Sequence, residues 1–340
     1  MEKKFTFIDL FSGIGGFRIG MENAGFKCVG SSEIDPHARL MYERNFREIP
    51  KGDITKLDPS AFSDFDVLCA GFPCQSFSIC GLKKGFKDET RGTLFFDICR
   101  ILEKKNPPVF ILENVSHLKH HDRGRTIGLI LEKLTKLGYT VDYKVLNAKN
   151  FGVPQNRERI IIIGNKYGLN FNFDKLKINS INSMKLFLDE NGSFEILDSN
   201  QYTLIKEFKK QKKSGLIFRG YMNKKIRKNG VRKNTNHLSR VHKQPNRIYS
   251  SEGNHPTIPS TETSGRYWIY DDGIVRKLTI DECYRFMGFP EDFIKVGSKT
   301  SLYERIGNSI CVPMVESIGT ELIHQFMENE NAKQRSYKFS

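Results

Sequence analysis

The first 165 residues alternate short apolar runs with stretches whose apolar residues recur at helical spacing, which restricts the chain to an α/β fold around a mostly parallel sheet. Strands are expected at 5–11, 28–33, 65–71, 109–113 and 159–164. Between them, Phe95, Ile98 and Leu102 share one helical face, as do Ile127, Ile130, Leu131, Leu134 and Leu137. A further strand is expected to end near Asp53, making 65–71 the fourth and 109–113 the fifth. Units of this kind form a doubly wound sheet, in which ligands bind beyond the carboxyl ends of the strands.

After about residue 173 the pattern gives way to Asn-, Ser- and Lys-rich sequence with many turn signals, as expected of a smaller irregular or β domain. Regularity returns at 278–287 and in a last helix starting near Pro313, with Val315, Ile318, Leu322 and Phe326 on one face. The chain carries 54 Lys and Arg against 39 Asp and Glu, a net charge of +15, which points to a polyanionic partner. Residues 201–250 hold ten Lys and five Arg against Glu207 alone, a local excess of 14. No window approaches the roughly 18 consecutive apolar residues of a membrane span, and the seven cysteines read as reduced thiols, so a cytoplasmic protein is expected.

The first strand runs into Phe11-Ser-Gly-Ile-Gly-Gly-Phe17, a glycine-rich turn that lets the backbone approach a ligand. Glu33 follows at the end of the next strand, where an acid suits a ribose diol. Arg18 breaks the full G-x-G-x-x-G pattern, which favours a nucleoside cofactor without a pyrophosphate; the alternative is a plain tight turn. The strand at 65–71 delivers Phe72-Pro73-Cys74-Gln75-Ser76-Phe77-Ser78 to the same edge, so Cys74 is a candidate nucleophile, whereas Cys28, Cys69 and Cys99 lie in apolar runs as inert thiols. The spacing of Cys69, Cys74 and Cys80 does not suit a metal. Glu113 reaches this edge from the next strand, as a partner for Cys74 or as a helix cap. Arg157 and Arg159 lie two apart, on one side of an incoming strand, either functional or a solvent-facing ion-pair cluster.

In order and spacing, Phe11-Ser-Gly-Ile-Gly-Gly-Phe, Gly71-Phe-Pro-Cys-Gln-Ser-Phe-Ser, Arg91-Gly-Thr-Leu-Phe-Phe-Asp, Glu113-Asn-Val, Gln155-Asn-Arg-Glu-Arg, residues 278–293 and Gly307-Asn-Ser resemble the motifs of the DNA cytosine-5 methyltransferases, particularly the GCGC-type bacterial restriction-modification members. The resemblance covers 5–164 and 276–323. It implies a Rossmann-like class I methyltransferase fold with a mixed, mainly parallel sheet, and S-adenosylmethionine as cofactor. The implied organisation is a catalytic and cofactor-binding domain at 1–178, a target-recognition domain at 179–275, a hinge at 276–304, a C-terminal helix returning to the catalytic domain at 305–330 and a tail at 331–340.

The resemblance also implies site residues. Cys74 would add to cytosine carbon 6, Glu113 would protonate ring N3, and Arg159 would contact the cytosine carbonyl, with Arg157 near the target phosphate or base. Phe11, Gly13, Ile14, Gly15 and Gly16 would surround the cofactor, Glu33 its ribose, and Asp53 and Ile54 its adenine. Ile34, Pro73, Leu94, Asn308 and Ser309 match other cofactor-contacting positions. On DNA, Gln75, Ser78, Arg91 and Arg157 are contact candidates; Gln244, Arg247 and Thr257 match the base-reading stretch, Gln244 filling the vacated stack and Arg247 contacting guanine. A loop at 75–93 with three glycines would close over the flipped base. Double-stranded DNA is thus the expected partner, with association to the nucleoid through DNA, and a companion restriction endonuclease acting on the same site is an expectation of the resemblance. A tRNA-modifying branch shares the catalytic motifs but typically carries Cys-Phe-Thr, a tripeptide absent here. The glycine loop and Glu33 alone would also suit a dinucleotide-dependent oxidoreductase, which leaves Cys74 and the basic region unexplained.

Overall fold

A computed structural model describes residues 5–73, 94–224, 235, 237–260 and 268–328. The chain divides into two compact units, one of residues 1–146, 158–177 and 310–340, the other of 147–157 and 178–309. The second unit therefore takes in the segment 147–157 from within the first half of the sequence, as well as residues up to Ser309.

In the first unit, strands β1 (Thr6–Leu10), β2 (Lys27–Ser32), β3 (Val67–Gly71) and β4 (Val109–Val115) are parallel, and β7 (Glu158–Asn165) runs antiparallel to β4. Their order among the described residues is β2-β1-β3-β4-β7-β5, with β5 (Thr140–Asn147) at the edge. This is the mixed, mainly parallel sheet expected from the sequence. Period-2 alternation puts Ile8, Leu10, Leu68, Ala70, Phe110, Leu112, Ile160 and Ile162 on one face. That face packs on helices α3 (Leu94–Lys105), through Phe95, Ile98 and Leu102, and α4 (Arg125–Lys136), through Ile127, Ile130 and Leu134. Helices α1 (Gly16–Asn23) and α7 (Val312–Leu322) pack together, so closely that a β-carbon on Gly20 would lie 2.6 Å from Val315 Cβ. Pro313 stands in the first turn of α7, as its fixed φ suits.

Two expectations are corrected. No strand ends at Asp53: Lys51 makes a single bridge to Ser32, then a 3-10 turn, Ile54–Lys56, follows, so β3 is the third strand. Strand β5 was not foreseen, because an edge strand with only Leu146 fully buried has no apolar alternation to reveal it.

The second unit holds a five-stranded sheet in the order β13-β12-β10-β9-β8, formed by β8 (Tyr202–Leu204), β9 (Phe218–Met222), β10 (Arg247–Ser250), β12 (Trp268–Asp271) and β13 (Ile274–Lys277). A two-stranded pair joins β6 (Gln155–Asn156) to β11 (His255–Pro256). Two short helices complete it, α5 (Ile280–Arg285) and α6 (Lys299–Asn308). Its polar keystone is Arg276, 1% exposed, which donates to Glu282 at 2.8 and 3.0 Å and to Asp271 at 3.1 Å. Burial alone would weaken this guanidinium's hold on its proton; hydrogen bonding and charge from Glu282, then Asp271, raise it above the usual arginine value. Glu282 also closes a capping box with Thr279 at the start of α5.

Glu282→Gln removes the charge opposite a buried guanidinium and weakens the cap. It is expected to cost about 3 kcal/mol in urea unfolding, the range for breaking a buried ion pair from one side, while Lys277→Gln on the same segment costs far less.

Candidate active site

In the parallel strands β1 to β4 the carboxyl ends lie at one edge of the sheet, with Leu10 beside Ser32 and Gly71 beside Glu113. Because β7 is antiparallel to β4, it brings its beginning to that edge, with Arg159 opposite Val115. Side chains opposite one another in a ladder share a face, and Glu113 lies two residues from Val115, so Glu113 and Arg159 are diagonal neighbours on one face. Arg159 Nε stands 2.9 Å from Glu113 Oε1, with the two side chains 12% and 13% exposed. Arg159 Nη1 donates to the carbonyl of Glu158 at 2.8 Å. Burial lowers the Arg159 pKa, and the Glu113 charge opposes that shift.

Next to this pair, Asn114 Nδ2 donates 2.8 Å to the carbonyl of Phe72, tying the end of β4 to the chain two residues before Cys74. Gly71 fits here for lack of a side chain, since a β-carbon would come within 3.3 Å of Glu113 Oε2. Pro73 is exposed. Cys74, Gln75, Ser78, Cys80 and Arg91, and the expected closing loop at 75–93, lie outside the described residues. The described cysteines (28, 69, 99, 283 and 311) are all buried. Burial pushes Cys28 and Cys99 up to about 12, and Cys69 and Cys283 well above the usual thiol range, so these four stay protonated and unreactive at neutral pH.

At the end of β1, Phe11 takes a left-handed conformation, φ 55°, rare for a residue with a side chain. Gly13 and Gly15 follow with φ 55° and 91°; at Gly15 a β-carbon would also strike the Phe46 ring, 2.3 Å away. The loop closes through Gly15 N–H to Ser12 O at 2.8 Å and Ser12 N–H to Ser32 O at 3.0 Å. The Glu33 carboxylate accepts from Gly13 N–H and from Asp35 N–H, both at 2.8 Å, which fixes it at the loop's rim. Ile34 beside it is 65% exposed, an apolar ledge facing solvent, whereas Ile14, Gly16 and Ile54 are buried. The Asp53 carboxylate accepts from Thr55 N–H at 3.0 Å and Thr55 Oγ1 at 2.8 Å, and these bonds hold it below the usual carboxylate range. Leu94, at the start of α3, is half-buried.

A nucleoside ligand fits this cradle on three counts. The space over Gly13 is open to 4 Å, the Ser12 hydroxyl is buried without a hydrogen-bond partner among the described residues, and Glu33 retains unused lone pairs on both oxygens.

Sequence reading missed the strut beneath the cradle. Arg18, noted there only as a broken glycine pattern, donates from Nη1 to Glu48 Oε2 at 2.6 Å and to Tyr42 Oη at 3.2 Å, and its guanidinium lies 4.6 Å from the Phe46 ring centre. Glu48 Oε1 accepts from Ser31 Oγ at 2.7 Å, and Ser31 lies two residues before Glu33. Arg18 thus links α1, which follows the glycine turn, to the strand end that carries the acid. Asp9, which the sequence shows only as a break in the first apolar run, is fully buried between Ser31 and Cys69 of the flanking strands; burial raises its carboxyl well above the usual range, against the Arg18 charge. The one signal for either was a charged residue in an apolar motif.

In the second unit, Arg157 departs from its expected role. The backbone turns between β6 and β7, so Arg157 and Arg159 do not share one side of a strand: Arg159 enters the first unit and Arg157 the second. Arg157 is 1% exposed and donates to the carbonyls of Ile258, Gly307 and Ser309 at 3.2, 2.9 and 2.6 Å, which fits a structural tie rather than an open DNA contact. It holds the carbonyls on both sides of Asn308, whose own side chain is exposed at the end of α6. Gln244 is exposed, Arg247 half-buried, and Thr257 Oγ1 donates to Asn156 O at 2.9 Å.

An acid paired with a guanidinium at the end of β4, and a glycine-lined cradle that fits a nucleoside at the end of β1, lie on the ligand-binding edge of one α/β sheet. Residues 5–324 match the C-5 cytosine-specific DNA methylase family. The type II methyltransferase M.HpaII of Haemophilus parainfluenzae is 41% identical over 334 residues, covering 96% of this chain and 91% of that protein. The type II methyltransferase M.HhaI of Haemophilus parahaemolyticus is 37% identical over 321 residues, covering 92% of each. In fold, the S. pombe Dnmt2 methyltransferase covers 94% of this chain and 99% of its own at TM-score 0.67 and 20% identity. The chain belongs to the C-5 cytosine-specific DNA methylase family, and is a DNA cytosine-5 methyltransferase that uses S-adenosylmethionine as methyl donor. Among the described residues no helix is long and apolar enough to cross a membrane.

Arg18→Met leaves the Glu48 carboxylate with its Ser31 bond alone and frees the strand end from α1. It is expected to cost about 1–2 kcal/mol of stability, given partial exposure of Glu48, and to weaken S-adenosylmethionine binding severalfold in calorimetric titration. Glu48→Gln in the same protein is expected to add little, the sign of one shared interaction.

Proposed function

We propose that this enzyme methylates carbon 5 of a cytosine flipped out of a short, specific duplex sequence, as the modification half of a restriction-modification system. The observation that carries the catalytic reading is the Glu113–Arg159 pair, an acid and a cation 2.9 Å apart and largely shielded from water at the ligand-binding edge of the sheet. In this reading Cys74, Glu113 and Arg159 surround the target base. A companion endonuclease cuts the same sequence, with no need to touch the methylase.

Carbon 5 of cytosine is too weak a nucleophile to take a methyl group unaided. The Cys74 thiolate adds to carbon 6, forming a carbon–sulfur bond. Glu113, ionised against Arg159 in the free enzyme, takes up one solvent proton as the base binds; the displaced electron pair then runs through the ring as N3 takes that proton, leaving an enamine with a nucleophilic carbon 5. Arg159 binds the cytosine carbonyl and stabilises the carboxylate that Glu113 becomes. S-adenosylmethionine, when bound, supplies the electrophilic methyl group. Loss of the carbon 5 proton to water restores the double bond, expels the cysteine sulfur, and returns the N3 proton to Glu113. Extruding the base costs a few kcal/mol of stacking and pairing, recovered from contacts with the DNA.

For the cofactor, Glu33 binds the ribose hydroxyls, Gly13 and Gly15 present backbone to the methionine, and Phe11, Ile34, Asp53, Pro73 and Leu94 line the rest. The basic surface of the second unit neutralises phosphates and makes affinity fall steeply with salt.

Base-resolution mapping of 5-methylcytosine in plasmid from a methylation-free host is the direct test. The wild-type chain is expected to mark one short sequence, Cys74→Ser to leave it unmarked, and Glu113→Gln to turn over about 10²–10⁴-fold more slowly with cofactor affinity within twofold. No mark from the folded wild-type enzyme would overturn the reading.

A further inference from the structure

The turn ahead of β10 holds a device that the recognition reading does not account for. Arg247 donates from both Nε and Nη2 to one acceptor, the carbonyl of His242, at 3.1 and 2.9 Å. The His242 ring is 2% exposed and stacks on Tyr221, with centres 3.8 Å apart and planes 17° apart. Phe218 lies behind it, 6.0 Å away. Tyr221 in turn is the cross-strand partner of Arg247 in the antiparallel β9–β10 ladder, so the two side chains leave the sheet on the same side. The chain from 242 to 247 is thereby closed on itself: the ring fixes the residue whose carbonyl fixes the guanidinium, and Tyr221 touches the one and faces the other.

The chemistry of the remaining edge is specific. A guanidinium has five N–H groups in a rigid fork, and the Nε/Nη2 side is spent on His242. Of the three left over, two lie along the Nη1/Nη2 end, and among the described residues Arg247 makes no hydrogen bond except to the His242 carbonyl. That edge matches the O6 and N7 of guanine in the major groove. A long flexible side chain has been converted into a pre-aimed one.

We propose that Tyr221 and His242 are positioning residues for sequence discrimination: their stack holds the His242 carbonyl where it orients Arg247 toward a guanine. This rests on the reading of Arg247 as the guanine-contacting residue. Neither ring touches DNA in this role, so both act on the ratio of correct to incorrect sites rather than on chemistry.

The test compares turnover on duplexes carrying the mapped target sequence with duplexes changed at one guanine at a time, for wild type, Tyr221→Phe, Tyr221→Leu, His242→Asn and Arg247→Ala. Arg247→Ala is expected to reduce discrimination at one guanine about tenfold or more, the worth of a good bidentate contact. Tyr221→Leu is expected to reduce it at that same guanine, with cofactor affinity unchanged, and Tyr221→Phe, which keeps the stacking ring, to behave as wild type. Should Tyr221→Leu fail to fold, His242→Asn, which retains the carbonyl but removes the ring, is expected to give the same loss. Discrimination unchanged in folded Tyr221→Leu or His242→Asn, while Arg247→Ala loses it, would overturn the proposal and spare the Arg247 reading. Discrimination unchanged in Arg247→Ala would overturn both.

Discussion

Glu113 and Arg159 meet because β7 runs antiparallel to β4, whereas β1 to β4 are parallel. A parallel β7 would carry Arg159 to the amino edge, far from the ends of β1, β3 and β4; antiparallel to β4, it delivers the residue that opens the strand to the edge where ligands bind. Two opposite charges so close and so little exposed are costly to desolvate, and removing either leaves the other uncompensated, at about 3–5 kcal/mol. In the proposed reaction the base offers its ring nitrogen to a Glu113 that has taken up a proton, and its carbonyl to Arg159. On that proposal, chemistry and local stability depend on the same contact.

Polar groups with no direct part in the proposed reaction brace the residues around them. Asn114 grips the carbonyl of Phe72, two residues before Cys74. Arg18 spans from the helix after the glycine turn to Glu48, which holds Ser31 two residues before Glu33; within the second unit, Arg157 holds the turn around Asn308 by its carbonyls. In a buried setting such side chains persist only when their hydrogen bonds are met, which makes them rigid ties. The basic unit repeats the principle, with Arg276 locked between Asp271 and Glu282.

The sheet was legible because four of its strands are apolar runs punctuated by motifs, and strands buried on both faces write themselves into the sequence as Val-, Ile- and Leu-rich segments. Glu113 and Glu33 were legible for the same reason: an acid that terminates an apolar run stands at a sheet edge. Strand β5 was hidden by partial exposure, and a single bridge at Lys51 stood where a full strand was expected. The period-2 rule misled for Arg157, since it assumes an unbroken strand, and the backbone turns between Asn156 and Glu158. No local pattern could reveal the Arg18–Glu48 strut or the Tyr221–His242 stack, which join residues 30 and 21 positions apart. Their signal was a charge or ring in an unexpected place, and its meaning depended on the fold.

In the proposed reaction the Cys74 sulfur bonds to carbon 6 of the target cytosine. Duplex DNA carrying 5-fluorocytosine at the methylated position tests it directly, because fluorine cannot leave as the carbon 5 proton does and the adduct is stranded. Incubation with S-adenosylmethionine is expected to give a denaturation-resistant protein–DNA complex whose cross-linked peptide contains Cys74. No adduct from an enzyme active on ordinary duplex, or one through another cysteine, would contradict the account.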